Sequence, residues 1–192
     1  MFIVAGAPGS GKSTLMHLSS FNVDWFNADD EAAKRNGGIY EGITPSIRDV
    51  VNLDFRNFIA DHIHLRESFA VETTLRSDVA IKQAKEAKDA GFRTEMYYIA
   101  TENISINLER IIGRAGGGGH SAPEDTLRLI HASSYRTFAV AIASVGTALD
   151  RLTVFDNSEA THYMDARFQL TASADGTLSL RGEEIPVYLR DY

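Results

Sequence analysis

Residues 6–13 read GAPGSGKS and fit the pattern G-x-x-x-x-G-K-[ST] without a mismatch. Glycines at this spacing let successive backbone N–H groups curl around phosphate oxygens. A helix that follows such a loop directs the positive end of its dipole at the same anion. The pattern assigns Gly6, Ala7, Pro8, Gly9, Ser10, Gly11, Lys12, Ser13 and Thr14 to a nucleotide site, for ATP or GTP. Lys12 is expected to reach the β- and γ-phosphates and Ser13 to hold Mg²⁺. A glycine-rich turn before a helix also arises by chance. Here the apolar run at residues 2–5 leads into the loop as a short buried strand would, and that context favours the nucleotide. The loop does not say what receives a phosphoryl group. A small-molecule kinase, a nucleoside-triphosphatase switch and a nucleic-acid-linked ATPase all remain open.

Acids follow two further apolar runs. The stretch VDWFNADD ends with Asn27, Asp29 and Asp30. Phosphoryl transfer to an alcohol needs a carboxylate that orients the hydroxyl and accepts its proton, and Asp29 is placed for that task. The alternative is that the aspartates cap the helix signalled by EAAKR. The stretch SFAVETTL ends with Glu72, Thr73 and Thr74. An acid after an apolar strand can serve the water shell of Mg²⁺ or a substrate hydroxyl, and Glu72 with Thr73 is assigned to the substrate side. Either threonine can also simply begin the next helix.

A third cluster surrounds four consecutive glycines at residues 116–119. Phosphoryl transfer spreads negative charge over equatorial oxygens, and arginines aimed at that charge recur as a solution. Arg110 and Arg114 are one helical turn apart, and Arg128 follows on the next helix. The glycines between them would let both helix ends close over bound nucleotide as a lid across residues 110–128. A linker with arginines in weak surface pairs, to Glu109 or Asp125, is the plainer reading. His120 suits a hydrogen-bonded turn better than a general acid, and is counted with the substrate-side residues. His62 and His64, at i and i+2 on a helix, face apart and make a poor metal pair. Asp156 in FDNS is placed to order a loop on the adenine side, while Asn157 and Ser158 suit a turn. Trp25 and the phenylalanines read as core.

The elements that must position these groups alternate. Strands are expected near 2–5, 23–26, 68–71, 94–100 and 152–155, with a hairpin around ADG in the tail at 165–190. Helices are expected near 12–20, 45–66 and 77–90, the last closed by Gly91. In the long helix Ile47, Val50, Val51, Asp54, Phe58 and His62 lie near one face. Ile104, Leu108, Ile111 and Ile112 form the stripe of another helix, and the positions from Leu127 through Val145 to Leu149 that of the next. The expectation is an α/β phosphate-loop kinase fold in a single domain over residues 1–192. It has a mostly parallel five-stranded sheet, helices on both faces and a C-terminal β-hairpin. Ligands of such sheets lie outside the carboxyl ends of the strands, where all three clusters fall.

Composition bounds the partners. The 192 residues carry 19 basic and 26 acidic side chains, a net charge of −7, with 44% hydrophobic residues and no cysteine. The pI near 5.3 argues against a general nucleic-acid binder, which carries a basic stripe. The absence of cysteine excludes disulfides and thiolate metal sites. No stretch reaches the roughly 18 apolar residues of a membrane span, and MFIVAGAPGSGKS lacks the charged start and cleavage site of a signal peptide. The expected location is cytoplasmic.

The segments GAPGSGKST, FNADD, ETTL, ERIIGRAGGGGHSAPEDTLR and VFDNS, in this order over residues 1 to 160, resemble the zeta-toxin family of P-loop kinases, especially its short bacterial members. The resemblance implies that Lys12 and Ser13 hold nucleotide and Asp29 activates a sugar hydroxyl. It further implies that Glu72 binds on the substrate side and that Arg114 and Arg128 stabilise transferred charge. It implies transfer of a γ-phosphate to a small-molecule hydroxyl, with UDP-N-acetylglucosamine as the family's characterised acceptor, and a small helical antitoxin as partner. The chain departs from the family in RLIHASSYR, where only Arg128 of a basic cluster remains and His131 stands at a commonly aromatic position. A toxin of a toxin–antitoxin pair and a polynucleotide kinase are the competing readings.

Overall fold

The computed structural model describes residues 1–115, 122–159, 168–182, 185–190 and 192. Seven strands form one sheet in the order β2-β3-β1-β4-β5-β6-β7. They are β1 Phe2–Ala5, β2 Asp24–Phe26, β3 Phe69–Thr73, β4 Glu95–Ala100, β5 Arg151–Asp156, β6 Phe168–Ser173 and β7 Leu178–Arg181. The first five are parallel. The expected tail hairpin is the antiparallel pair β6–β7, and β6 also pairs with β5, so the hairpin extends the sheet and brings it from five strands to seven.

β1 is the central parallel strand, with Phe2 opposite Ala70 on one side and Glu95 on the other. The chain fills one flank with β2 and β3 and then crosses to build β4 and β5. The crevice at the carboxyl end of β1 is where such a sheet opens for a ligand. Buried on both faces, Ile3, Val4 and Ala5 are apolar throughout, as a central parallel strand requires.

The described residues form six α-helices, α1 Lys12–Leu15, α2 Ala28–Arg35, α3 Pro45–Leu65, α4 Val79–Asp89, α5 Ile104–Ala115 and α6 Glu124–Ala143. On one face Ile3, Phe69, Val71, Met96, Tyr98 and Leu152 pack with side chains of α3, α4 and α6 in the main core. Phe26, Phe55, Phe58, His62, Phe69 and Phe92 form a chain of ring contacts there, with centroids 4.1–5.9 Å apart. On the other face Val4, Ala70 and Ile99 are covered by Leu18 with Leu15, Met16 and Phe21.

Four helix expectations are corrected. Ile112 is exposed on α5, so of the expected stripe only Ile111 is buried. The first helix stops at Leu15 rather than running to residue 20, and a 3-10 turn, Leu18–Phe21, follows. Here His17 accepts from the Ser19 N–H and its carbonyl accepts from Ser20 Oγ, so local side-chain bonds displace the helix ladder. On α3, Val50 is exposed and Asp54 pairs with Arg35, so the buried stripe runs through Val51, Ile59 and His62. Val145 and Leu149 lie beyond the end of α6, joined in an isolated bridge.

Candidate active site

A cleft of about 490 Å³ opens past the carboxyl ends of β1, β2 and β3. Pro8, Gly9, Gly11, Lys12 and Ser13 line it from the loop after β1, Asn27, Asp29 and Asp30 from the start of α2, and Glu72 from the end of β3. Trp25, His17 and Tyr40 add aromatic surface, and Ile111 and Leu127 reach it from the helices flanking the glycine run.

Loop shape is set by backbone that only glycine adopts easily. Gly6, Gly9 and Gly11 have φ of 146°, 76° and 93°. A Cβ on Gly6 would stand 2.5 Å from the Ile99 carbonyl oxygen, and one on Gly9 2.5 Å from that of Asn107. With four residues, α1 supplies little of the dipole expected of a following helix, which leaves the loop's own N–H groups as the main donors there.

Lys12 is 7% exposed. Its Nζ donates to the carbonyls of Gly6 at 3.0 Å and Ala7 at 3.3 Å and stands 3.5 Å from Glu72 Oε1. Burial pushes the Glu72 carboxyl above its ordinary range. The Lys12 ammonium opposes that shift, while Asp29 and Asp30 add to it.

Asp29 and Asp30 begin α2 but do not cap it. Asn27 does, its Oδ1 accepting from the N–H of Asp29 at 2.9 Å and of Asp30 at 3.3 Å. Both carboxylates are thereby freed for the cleft. Arg48, from the first turn of α3, donates to Asp29 Oδ1 at 2.8 Å. The Tyr40 hydroxyl donates to Asp30 Oδ1 at 2.8 Å, and that bond holds the phenol's pKa above its usual value. Sequence reasoning missed Arg48 and Tyr40. Each is distant in sequence from its acid, and no motif marks it. It also placed Trp25 in the core, whereas the indole is 36% exposed and lines the cleft edge-on to His17, centroids 6.0 Å apart.

The other expected residues divide between the cleft and positions away from it. Ser13 and Thr14 are exposed on α1, and only Ser13 lines the cleft. Thr73 Oγ1 accepts from the Leu75 N–H at 3.1 Å, serving the turn in which Leu75 has φ 52°. Arg110 turns toward the loop after β5 and donates to the Asn157 carbonyl at 2.8 Å. Arg128 pairs with Glu124 one turn away on α6, at 2.6 Å, outside the cleft. Arg114 belongs to α5, but its side chain, the glycines at 116–119 and His120 lie outside the described residues. Asp156 is buried, its Oδ1 accepting from Tyr188 at 2.7 Å and from the Ser158 N–H at 3.0 Å, so it orders the loop that follows β5.

The described residues contain no group of three or more His, Cys, Asp or Glu able to hold a metal. No helix among them is long and apolar enough to cross a membrane.

A phosphate loop after the central strand of a mostly parallel sheet, with acids at the end of β3 and just past the adjoining β2, defines a P-loop kinase-like fold. Solved structures share it. The PezAT toxin–antitoxin system of Streptococcus pneumoniae matches 85% of this chain and 69% of its own at 15% identity, TM-score 0.58. The AvrRxo1-ORF1–AvrRxo1-ORF2 complex with ATP matches 93% of this chain and 56% of its own at 13% identity, TM-score 0.61. A protein of Chloroflexus aurantiacus proposed to be a kinase matches 68% of this chain and 77% of its own at 16% identity, TM-score 0.52. At these identities the likeness is one of fold. No family model matches the sequence. The chain belongs to one family with an uncharacterized protein of Haemophilus influenzae, 31% identical over 131 residues that span 64% of this chain and 86% of the relative.

Proposed function

We propose that the protein is an ATP- or GTP-dependent kinase that transfers the γ-phosphate to a hydroxyl of a small molecule. The observation that carries this reading is a single cleft bringing Lys12 and Ser13 of the phosphate loop together with Asp29 and Glu72. In this reading the loop N–H groups and Lys12 hold the triphosphate. Mg²⁺ suits the site, because it binds through one or two protein oxygens and completes its shell with water and phosphate. The Ser13 hydroxyl and the Glu72 carboxylate are the oxygens at hand. When bound, the ion would neutralise charge on the β- and γ-phosphates.

The acceptor oxygen attacks the γ-phosphorus as the bond to the β,γ-bridging oxygen breaks. The acceptor's proton passes to Asp29, and the nucleoside diphosphate leaves. Arg48 occupies Oδ1 of Asp29, which leaves Oδ2 to take that proton. Glu72 and Thr73 act on the substrate side with His120, and Arg114 and Arg128 serve as lid cations, Arg128 after its pair with Glu124 opens. The resemblance to zeta toxins makes a nucleotide sugar such as UDP-N-acetylglucosamine the first acceptor to try, in the cytoplasm.

The test is transfer of labelled γ-phosphate from ATP and GTP to UDP-N-acetylglucosamine and to a metabolite extract. Transfer that Lys12→Met and Asp29→Asn each abolish supports the assignment. A wild-type chain that binds neither nucleotide and labels nothing overturns it. A second reading is a toxin held by a small helical antitoxin, favoured by the likeness to two complexes with partner proteins. Growth arrest on induction, relieved by a neighbouring small gene, would establish it. A polynucleotide kinase is disfavoured by the net charge of −7, since phosphate backbones are bound by clustered cations.

A further inference from the structure

Two asparagine side chains hold the phosphate loop from behind. Asn107, on α5, is fully buried, and its Nδ2 donates to the Pro8 carbonyl at 2.7 Å. Its Oδ1 accepts from Thr101 Oγ1 at 2.5 Å. Thr101 is fixed in turn by Tyr135, whose hydroxyl accepts from the Thr101 N–H at 2.8 Å and donates to the Thr101 carbonyl at 2.6 Å. Asn157 is the first residue after β5. Its Nδ2 donates to the Ser10 carbonyl at 2.7 Å, and its own N–H donates to the Ala100 carbonyl at 2.8 Å. The amides thus clamp alternate carbonyls of the loop from β4–α5 and from β5.

In a trans peptide the C=O of one residue and the N–H of the next point in opposite directions, and the described residues contain no cis bond. A Pro8 carbonyl drawn to Asn107 turns the Gly9 N–H the other way, and a Ser10 carbonyl drawn to Asn157 does the same for the Gly11 N–H. Gly9 and Gly11 are both among the residues that line the cleft. The braces also approach closely at these two positions: a Cβ on Gly9 would meet the Asn107 backbone, and one on Gly11 the Asn157 amide. We infer that Asn107 and Asn157 are positioning residues that pre-orient the Gly9 and Gly11 N–H donors for the phosphate oxygens of a nucleotide. The inference rests on the nucleotide reading above.

Asn157→Asp and Asn107→Asp keep side-chain size but replace the donor with an oxygen that repels the carbonyl. Asn157→Ala, at a partly exposed position, serves if the buried Asn107 variant does not fold. Affinity for ATP and GTP is measured by calorimetry, and amide hydrogen exchange across residues 6–13 is followed without nucleotide. Each variant is expected to lose about tenfold or more in affinity, the scale of one lost buried hydrogen bond. Exchange should quicken in the loop and not in β4 or β5. Affinities within about twofold of wild type, with unchanged loop exchange, would overturn the inference. So would a loss of affinity matched by faster exchange throughout the sheet, which marks general loosening. If the wild-type chain binds neither nucleotide, the kinase reading falls, and loop exchange alone decides whether the asparagines shape the loop.

Discussion

Replacing Lys12 with methionine should destabilise the protein by an amount that depends on pH, because the residue left behind is Glu72. The two stand 3.5 Å apart with side-chain exposures of 8% and 18%. Breaking a buried pair by removing one partner costs about 3–5 kcal/mol. At pH near 8 the lower end, about 3 kcal/mol, applies to this incompletely buried pair. The carboxylate can escape the penalty by taking up a proton. That escape costs about 1.4 kcal/mol for each pH unit above its ordinary pKa of 4.5, so near pH 5.5 the ionic penalty cannot exceed about 1.4 kcal/mol. Losing the bonds to the Gly6 and Ala7 carbonyls adds about 1 kcal/mol at any pH.

The direction follows from linkage. Glu72 has a raised folded pKa, so the stability it allows is present at low pH and lost as pH rises through that value, and removing Lys12 raises the value further. Urea unfolding followed by circular dichroism should show Lys12→Met costing about 4 kcal/mol near pH 8 and about 2.4 near pH 5.5. The Lys12→Met, Glu72→Gln double variant should lose most of that pH dependence. A cost for the single variant that is the same at both pH values would refute the reasoning.

Two further outcomes are expected. Gly9→Ala should destabilise the chain by about 2 kcal/mol or more and weaken nucleotide binding, since the residue sits at φ 76° with the Asn107 carbonyl 2.5 Å from the added carbon; an unchanged melting temperature would contradict this. Burial holds the His131 imidazole below its ordinary pKa of 6.5, so the stability it allows is present above that value and lost as pH falls through the lower folded one. His131→Phe keeps ring contact with Tyr135 and should gain on wild type as pH drops below about 6.5, and parallel pH–stability curves would count against it.

The inner parallel strands β1, β3 and β4 were legible because each is a short, mostly buried apolar run, and the phosphate loop because its glycines and lysine are adjacent in sequence. Asp29 and Glu72 could be found from their place after a strand. Legibility ended where partners meet only in the fold. Arg48 reaches Asp29 from α3, Tyr40 reaches Asp30 from the connection before it, and Asn107 reaches Pro8 from α5. A charged residue on a helix looks solvated until its neighbour is known, and the pairing of Arg128 with Glu124 likewise emerges only in the fold. The premature end of α1 was hidden by propensity: residues 12–20 look helical, and the local bonds of His17 override that preference. Trp25 was misplaced because size alone argued for burial.

The central position of β1 carries a consequence for synthesis of the protein. Its neighbours are β3 and β4, and the second of these is complete only at Ala100. A chain emerging from the ribosome at roughly 5–20 residues per second must therefore keep Phe2–Ala5 waiting for several seconds without a place to dock. The braces at Asn107 and Asn157 emerge later still. The loop that carries Lys12 is thus among the later parts of the molecule to acquire its final shape, and nascent chains shorter than this would expose an apolar strand to chaperones while the loop still lacks its braces.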